Sequence, residues 1–309
     1  MTRSAKVAVI QATPVVGEFE LTLKSLEDQC REAAHQGVQL VVLPEAFIGG
    51  YPKGMDFGVK VGMRSDLGRD EFRVYFERAI EVPGPATDGI AEVAKNTRLF
   101  IVVGVVERDG GTLYCTALFF GPEGTLLGKH RKLMPTAMER VVWGFGDGST
   151  LPVIETSIGK VGAVICWENY MPLLRTAMYA KGVEIYCAIT VDDRDSWIPT
   201  VRHIAMEGRC FVLSACQFLP AGESPTDQPG IRGGSCIVSP FGELLTGPVY
   251  GREAILIADI DLDEIVRGKF DLDVVGHYAR PDIFQLHVNE EPQKVVTQVP
   301  IRPKPVESA

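Results

Sequence analysis

Residues 159–182 read "GKVGAVICWENYMPLLRTAMYAKG". As far as Ile165 the stretch is small and β-branched, the composition of a strand buried on both faces. From Met171 the apolar residues fall three and four apart and the pattern stops at Gly182, as in an amphipathic helix. A further apolar run, "VEIYCAIT" (183–190), follows at once. Strand, helix, strand in this order is a crossover, so the segment places the chain among layered α/β proteins.

The same alternation extends in both directions. "KVAVIQA" (6–12), "VQLVVLPEA" (38–46), "LFIVVGVVER" (99–108) and "CFVLSACQ" (210–217) read as strands. "FELTLKSLEDQCREAAHQG" (19–37), "DGIAEVAKNTR" (88–98), "DSWIPTVRHIAMEGR" (195–209) and "DLDEIVRGKF" (261–270) read as helices. "TLYCTALFFGPEGTLLGKHRKL" (112–133) is a hairpin with "GPEG" at its turn, and "GGSCIVSPFGELL" with "EAILIADIDL" reads as a second hairpin. Crossovers and hairpins together predict mixed sheets. "RSDLGRDEFRVYFERA" (64–79) is a charge-rich amphipathic helix with a solvated or interface face, and the glycine-rich "GFGDGST" (144–150) a tight loop, since it follows no strand and opens no helix. Residues 1–285 form one domain. Residues 286–309, rich in proline and charge, form a tail that is flexible or laid over a neighbour.

Composition excludes several classes. A net charge of −9 argues against a nucleic-acid surface. No apolar run of about 18 residues exists, so no membrane span is expected. The N-terminal apolar run is too short for a secretory leader, which predicts a cytoplasmic protein. The seven cysteines show neither a paired framework nor metal spacing, and suit reduced thiols and no metal site.

Ligands of α/β sheets bind beyond the carboxyl ends of strands. Glu45, Cys166 and "VDDRDSW" follow such ends, and Lys132 and Glu139 lie just past the first hairpin. A cysteine usually just packs. Cys166, at a strand-to-helix junction, sits near the positive end of a helix dipole, which would lower its pKa. Glu45 is either a loop carboxylate or a base. Lys132 is either part of a solvated basic face or, beside a thiol, an anion-stabilising cation. A thiol usually pairs with histidine, and His130 or His277 would be the candidates. A glutamate-activated thiol fits the strand-end residues better. Tyr51, Trp167, Asp192, Asp193, Arg194 and Trp197 either line a substrate pocket or pack within loops.

The ordered blocks "LPEAFIGGYPKG", "GKHRKLMPTAMERVVWGFGDGS" and "ICWENYMPLLRTAMYAKGVEIYCAIT", with "HIAMEGRCFVLSACQF", "GGSCIVSPFGELLTGP" and "VGHYARPDIF", resemble the nitrilases of the carbon–nitrogen hydrolase superfamily. The resemblance covers about the first 285 residues. It implies a four-layer αββα sandwich with two mixed β-sheets, paired into homodimers that often extend into spirals. It implies a Glu45–Lys132–Cys166 triad, Glu139 supporting the lysine, and hydrolysis of a small nitrile to acid and ammonia through a thioimidate and a thioester, with some amide, and without cofactor. "CWEN" resembles the nitrilase branch rather than amidases or N-carbamoyl hydrolases, which share the triad. A non-catalytic binder on this fold is a further alternative. The segment "LPAGESPTDQPGIR" (219–232) is shorter than its counterpart in plant nitrilases.

Overall fold

A computed structural model describes residues 3–222 and 230–297. The first sheet contains β1 (Ser4–Gln11), β2 (Leu40–Val42), β3 (Ile80–Glu81), β4 (Phe100–Asp109), β5 (Thr112–Phe120) and β6 (Leu126–Arg131). The second contains β7 (Val153–Thr156), β8 (Gly159–Ile165), β9 (Ile185–Thr190), β10 (Phe211–Cys216), β11 (Phe218–Leu219), β12 (Ile231–Val238) and β13 (Leu244–Tyr250). The last strand, β14 (Ala254–Asp261), returns to the first sheet.

Both sheets are mixed. β1, β2 and β4 run parallel, as do β8, β9 and β10, and these are the strands separated by helices. β4–β5–β6 and β12–β13 are antiparallel hairpins. One expectation is corrected. "EAILIADIDL" does not close a hairpin with the preceding strand: β12 pairs with β13 within "GGSCIVSPFGELL", and β14 runs antiparallel to β1. Local pattern shows that a strand exists but not which sheet receives it.

Apolar side chains sort into three layers. Between the sheets lie Val7, Val9, Leu40 and Val42 from one side and Ala163, Ile165, Cys187 and Leu213 from the other. Outside the first sheet, α1 (Phe19–His35) and α3 (Pro85–Thr97) bury Leu26, Cys30, Ile90 and Val93. Outside the second, α4 (Pro172–Ala180) and α5 (Trp197–Gly208) bury Leu174, Met178, Val201 and Ile204. Helix, sheet, sheet, helix is thus the order of the layers. Strands buried on both faces explain the unbroken apolar runs. The remaining helices are α2 (Asp66–Arg78), whose first turn is capped by Ser65, and α6 (Asp263–Asp271). No helix of the described residues is long and apolar enough to cross a membrane.

Gln11 bridges the sheets at the end of β1. Its amide oxygen accepts from Gly234 N at 2.9 Å and Ser235 N at 3.0 Å, and its Nε2 donates to the Arg252 carbonyl at 2.7 Å. Gly233 has φ +91° and approaches so closely that a Cβ there would lie 2.3 Å from Gln11 Nε2, so no other residue fits. The tail up to residue 297 runs along the molecule's own surface. Lys181 pairs with Glu290 at 2.7 Å, and Gln293 N donates to Asp147 at 2.8 Å. The tail beyond 297, and residues 223–229 of the 219–232 segment, lie outside the described residues.

Candidate active site

Four chain segments converge at one end of the two sheets. The turn after β2 carries Glu45. It lies against β4 because Gly104 has no side chain: a Cβ there would sit 2.3 Å from the Pro44 carbonyl and 2.6 Å from Glu45 Cα. Gly104 N donates to that carbonyl at 3.1 Å, and Gln217 Nε2 donates to the Glu45 carbonyl at 2.7 Å. Lys132 leaves the end of β6 with its backbone held on both sides, its N–H on the Cys115 carbonyl and its carbonyl on Gly146 N, each at 2.8 Å. Glu139 sits in a single 3-10 turn, Ala137–Val141. Cys166 opens another, Cys166–Tyr170, directly after β8.

Ala46 (φ +47°), Ala137 (φ +45°) and Cys166 (φ +50°) all hold left-handed backbones. Each belongs to a segment that brings a reactive side chain to the site. Non-glycine residues in this region carry strain that the surrounding structure must impose.

The side chains form a connected array. Lys132 Nζ donates to Glu45 Oε1 and to Glu139 Oε2, both at 2.7 Å. Glu139 also accepts from Thr136 N at 2.6 Å and from the Tyr51 hydroxyl at 2.8 Å. Glu45 Oε2 accepts from Val191 N at 3.2 Å. The Cys166 thiol is within hydrogen-bonding reach of the Glu45 carboxylate and of Thr190. Glu45 and Lys132 have no solvent exposure, while Cys166 and Glu139 reach a cavity of about 600 Å³ that Tyr51, Met138, Trp167 and Asp192 also line. That size suits a small organic ligand.

Burial raises the Glu45 carboxyl above its ordinary value; the Lys132 ammonium opposes this and Glu139 adds to it. Burial alone would lower Lys132, but the Glu45 and Glu139 charges outweigh it and hold the ammonium protonated. Burial, and then the Glu45 charge, push the Cys166 thiol up. This corrects the dipole expectation. α4 does not begin until Pro172, and the sulfur sits in an enclosed site beside a carboxylate. The raised Cys166 sulfur is thus a thiol facing the Glu45 carboxyl rather than a free thiolate.

Histidine has no part in the array. His130 is fully buried, with Nδ1 2.6 Å from the Thr150 carbonyl and Nε2 2.9 Å from Glu168, so both ring nitrogens are occupied. His277 is exposed and packs on Tyr278. Both His130 nitrogens are thus committed to partners other than the thiol. No three His, Cys, Asp or Glu side chains among the described residues converge as a metal cage.

The sequence profile of the carbon–nitrogen hydrolases matches residues 6–270. The chain belongs to that family. It is 56% identical to an aliphatic nitrilase of Sinorhizobium fredii over 94% of this chain and 97% of that protein. It is 54% identical to a bifunctional nitrilase/nitrile hydratase of Lupinus angustifolius over 95% of this chain and 88% of that one. The fold matches Saccharomyces cerevisiae Nit3, a member of branch 10 of the nitrilase superfamily, with TM-score 0.72 and 21% identity over 89% of this chain and 96% of that one. Relatives this similar make the chain an enzyme, a nitrilase-type hydrolase of carbon–nitrogen bonds other than peptide bonds.

In this hydrolase the candidate pocket residues divide. Trp167 Nε1 donates to Asp192 Oδ2 at 2.9 Å, Arg194 Nε donates to Asp192 Oδ1 at 2.8 Å, and the guanidinium lies 4.6 Å from the Trp167 ring centre. Burial would raise Asp192, but the Arg194 and Trp167 donors hold it below its ordinary value. These three make one wall of the cavity mouth, and Asp193 stands beside them, accepting from Arg232 N at 2.8 Å. Trp197 is corrected. It is buried in the outer core with Nε1 donating to Ser214 Oγ at 2.8 Å, and it is absent from the cavity wall. An aromatic opening a helix after a strand end has two faces to choose from, and this one turns inward.

Sequence reasoning missed Glu168. This buried carboxylate accepts from Leu133 N at 2.5 Å, Ile165 N at 3.0 Å and His130. It thereby ties the residue after Lys132 to the residue before Cys166. A glutamate two residues beyond a suspected nucleophile, within an apolar context, was the available signal.

Proposed function

We propose that this enzyme hydrolyses a small organic nitrile to the carboxylic acid and ammonia, with Cys166 as nucleophile, Glu45 as general base and Lys132 as electrostatic stabiliser. The observation that carries the reading is the thiol at the cavity floor in reach of a buried carboxylate, which is itself held by Lys132 at 2.7 Å. A nitrile carbon is a weak electrophile and needs a sulfur nucleophile. Glu45 takes the thiol proton as Cys166 adds to the carbon, and the nitrogen is protonated to give a thioimidate. The Lys132 ammonium and the backbone N–H after Cys166 stabilise charge developing in the addition. Water, deprotonated by Glu45, adds to the thioimidate; ammonia departs and leaves a thioester. A second water, activated in the same way, releases the acid and restores the thiol. If sulfur leaves before ammonia the product is the amide, and the lupin relative's name carries both outcomes. Glu139 orients Lys132 and, with Tyr51, borders the substrate. Trp167, Asp192 and Arg194 shape the far end.

The substrate is a free small molecule, the enzyme is cytoplasmic, and residues 1–285 act as one catalytic domain with 286–309 as an appended tail. Exposed Tyr170 and Leu173, at and just before α4, and exposed Met206 on α5 support a homodimer across these helices, extending to a spiral oligomer. Light scattering tests that assembly.

The deciding experiment is ammonia release from β-cyanoalanine, phenylacetonitrile, benzonitrile, fumaronitrile and cyanide, with wild type beside Cys166→Ala and products identified. Release by wild type alone is the expected result. Hydrolysis of simple amides or N-carbamoyl compounds with no nitrile turnover would move the enzyme to those branches of the family. Loss of every activity with cellular function intact in Cys166→Ala would make it a binder.

A further inference from the structure

Strand β5 carries a second thiol into the site. Cys115 is fully buried, on the face of β5 that packs between the sheets with Leu113 and Ala117. Its Sγ donates to Glu45 Oε1 at 3.5 Å, the same oxygen that receives Lys132 at 2.7 Å. Its carbonyl accepts the Lys132 N–H at 2.8 Å. One residue therefore contacts the base through its side chain and the lysine through its main chain. Cys115 lies behind the carboxylate rather than on the cavity wall, so it does not meet the substrate.

We propose that Cys115 is a positioning residue for this reaction: its S–H orients the Glu45 carboxylate and favours the ionised form that accepts the Cys166 proton. This rests on the reading of Glu45 as the base for Cys166. Apart from the Cys166 thiol itself, the carboxylate receives Lys132 and Cys115 on one oxygen and Val191 N on the other. Together they fix its plane toward the nucleophile, the preorganisation a general base needs. A donor to a carboxylate favours the charged form, and in a site closed to water each donor counts for more. Burial and the adjacent Glu45 charge keep Cys115 protonated, so it is a donor and not a competing thiolate. A thiol that merely filled space would leave the titration of its neighbours unchanged.

The test uses the full-length enzyme with Cys115→Val and Cys115→Ala, which donate nothing and differ in size, and Cys115→Ser, which keeps a donor. Two pH profiles are measured for each: kcat/KM on the nitrile that wild type turns over, and the rate of Cys166 alkylation by iodoacetamide, mapped by mass spectrometry. In the alkylation Cys166 sulfur bonds to the methylene carbon, iodide leaves, and the thiol proton passes to Glu45. Both donor-less variants are expected to move the acid limb of each profile upward by about half to one pH unit, which slows the rate about 3–10-fold below the limb. Cys115→Ser is expected to stay nearer wild type than either. Acid limbs that coincide with wild type in Cys115→Val and Cys115→Ala, or rates that fall equally in all three variants with the limb unmoved, would overturn the proposal and leave Cys115 a packing residue. If wild type hydrolyses no nitrile while the alkylation limb still shifts, the nitrile reading fails and the positioning role stands.

Discussion

The Lys132 ammonium donates to Glu45 Oε1 at 2.7 Å, and neither side chain touches solvent. Glu139 accepts from the same ammonium, so two carboxylates share one cation. The surplus negative charge helps to raise Glu45 and suits it to collect a proton. Lys132→Met keeps the volume and removes the cation. We expect kcat/KM to fall by about 10²–10³, and stability by about 3–5 kcal/mol because two buried carboxylates are left without their counter-charge. Steady-state kinetics and urea unfolding at pH 7 measure the two effects. Lys132→Arg is not expected to restore activity, since both contacts are made to a compact ammonium and a planar fork does not fit between them.

The pH profile follows from the same charges. On the proposed mechanism Glu45 must be ionised to act, and its carboxyl is raised above the ordinary 4.5. Activity is lost as pH falls through that raised value, so the acid limb of kcat/KM lies above 4.5. On the alkaline side Cys166 and Lys132 are both raised, above 9.0 and 10.5 respectively. The rate is therefore expected to show no fall from either group below pH 9. A bell centred near neutrality, with an alkaline limb below 9, would contradict this assignment.

Gly104 is the least conspicuous requirement of the site. Gly104→Ala places a Cβ 2.3 Å from the Pro44 carbonyl, so either the strand or the Glu45 turn has to move. The expected cost is about 3 kcal/mol or more, at the severe end of overpacking, with activity reduced at least about 10²-fold by displacement of the base. Gly111, in the turn between β4 and β5, has nothing within 4 Å of the equivalent position. Gly111→Ala is the control and is expected to stay within about 0.5 kcal/mol of wild type. Equal thermal melts for the two variants would refute the steric account.

What could be read in advance was what local pattern encodes. The positions of Glu45 and Cys166 at the carboxyl ends of apolar strands were legible, as was that of Lys132 at the end of a hairpin with an unmistakable turn, but their grouping as a triad came only from the resemblance to the nitrilases. The start of α3 at Pro85 was missed: "PAT" carries no apolar periodicity, and proline in a first turn is a start signal only if a helix is already expected. The sheet that receives β14, the inward turn of Trp197, and the contacts of Gly104, Gln217 and Cys115 with the Glu45 turn are all set between residues distant in sequence. No window of one chain contains both partners. Cys115 illustrates the limit. A cysteine inside a strand reads as core, and it is core, but the atom it packs against belongs to the Glu45 carboxylate.

The last prediction separates this chemistry from a histidine mechanism. His130 is raised above its ordinary 6.5: burial lowers it, but the Glu168 carboxylate outweighs burial. A histidine raised in the folded state adds stability that is fully present below 6.5 and is lost as pH rises through the folded value. His130→Gln keeps a neutral donor for Glu168 and removes the titration. The stability gap between wild type and variant is thus expected to be largest below 6.5 and to shrink as pH rises above it, as measured by denaturant unfolding across a pH series. Activity of the folded variant is expected to stay within about 10-fold of wild type, because His130 acts at one remove, through Glu168, which ties the Lys132 and Cys166 segments together. Under a Cys–His mechanism the same substitution would abolish turnover, and Lys132→Met would be the mild one. Comparing the two variants on one substrate therefore shows which residue works with the thiol.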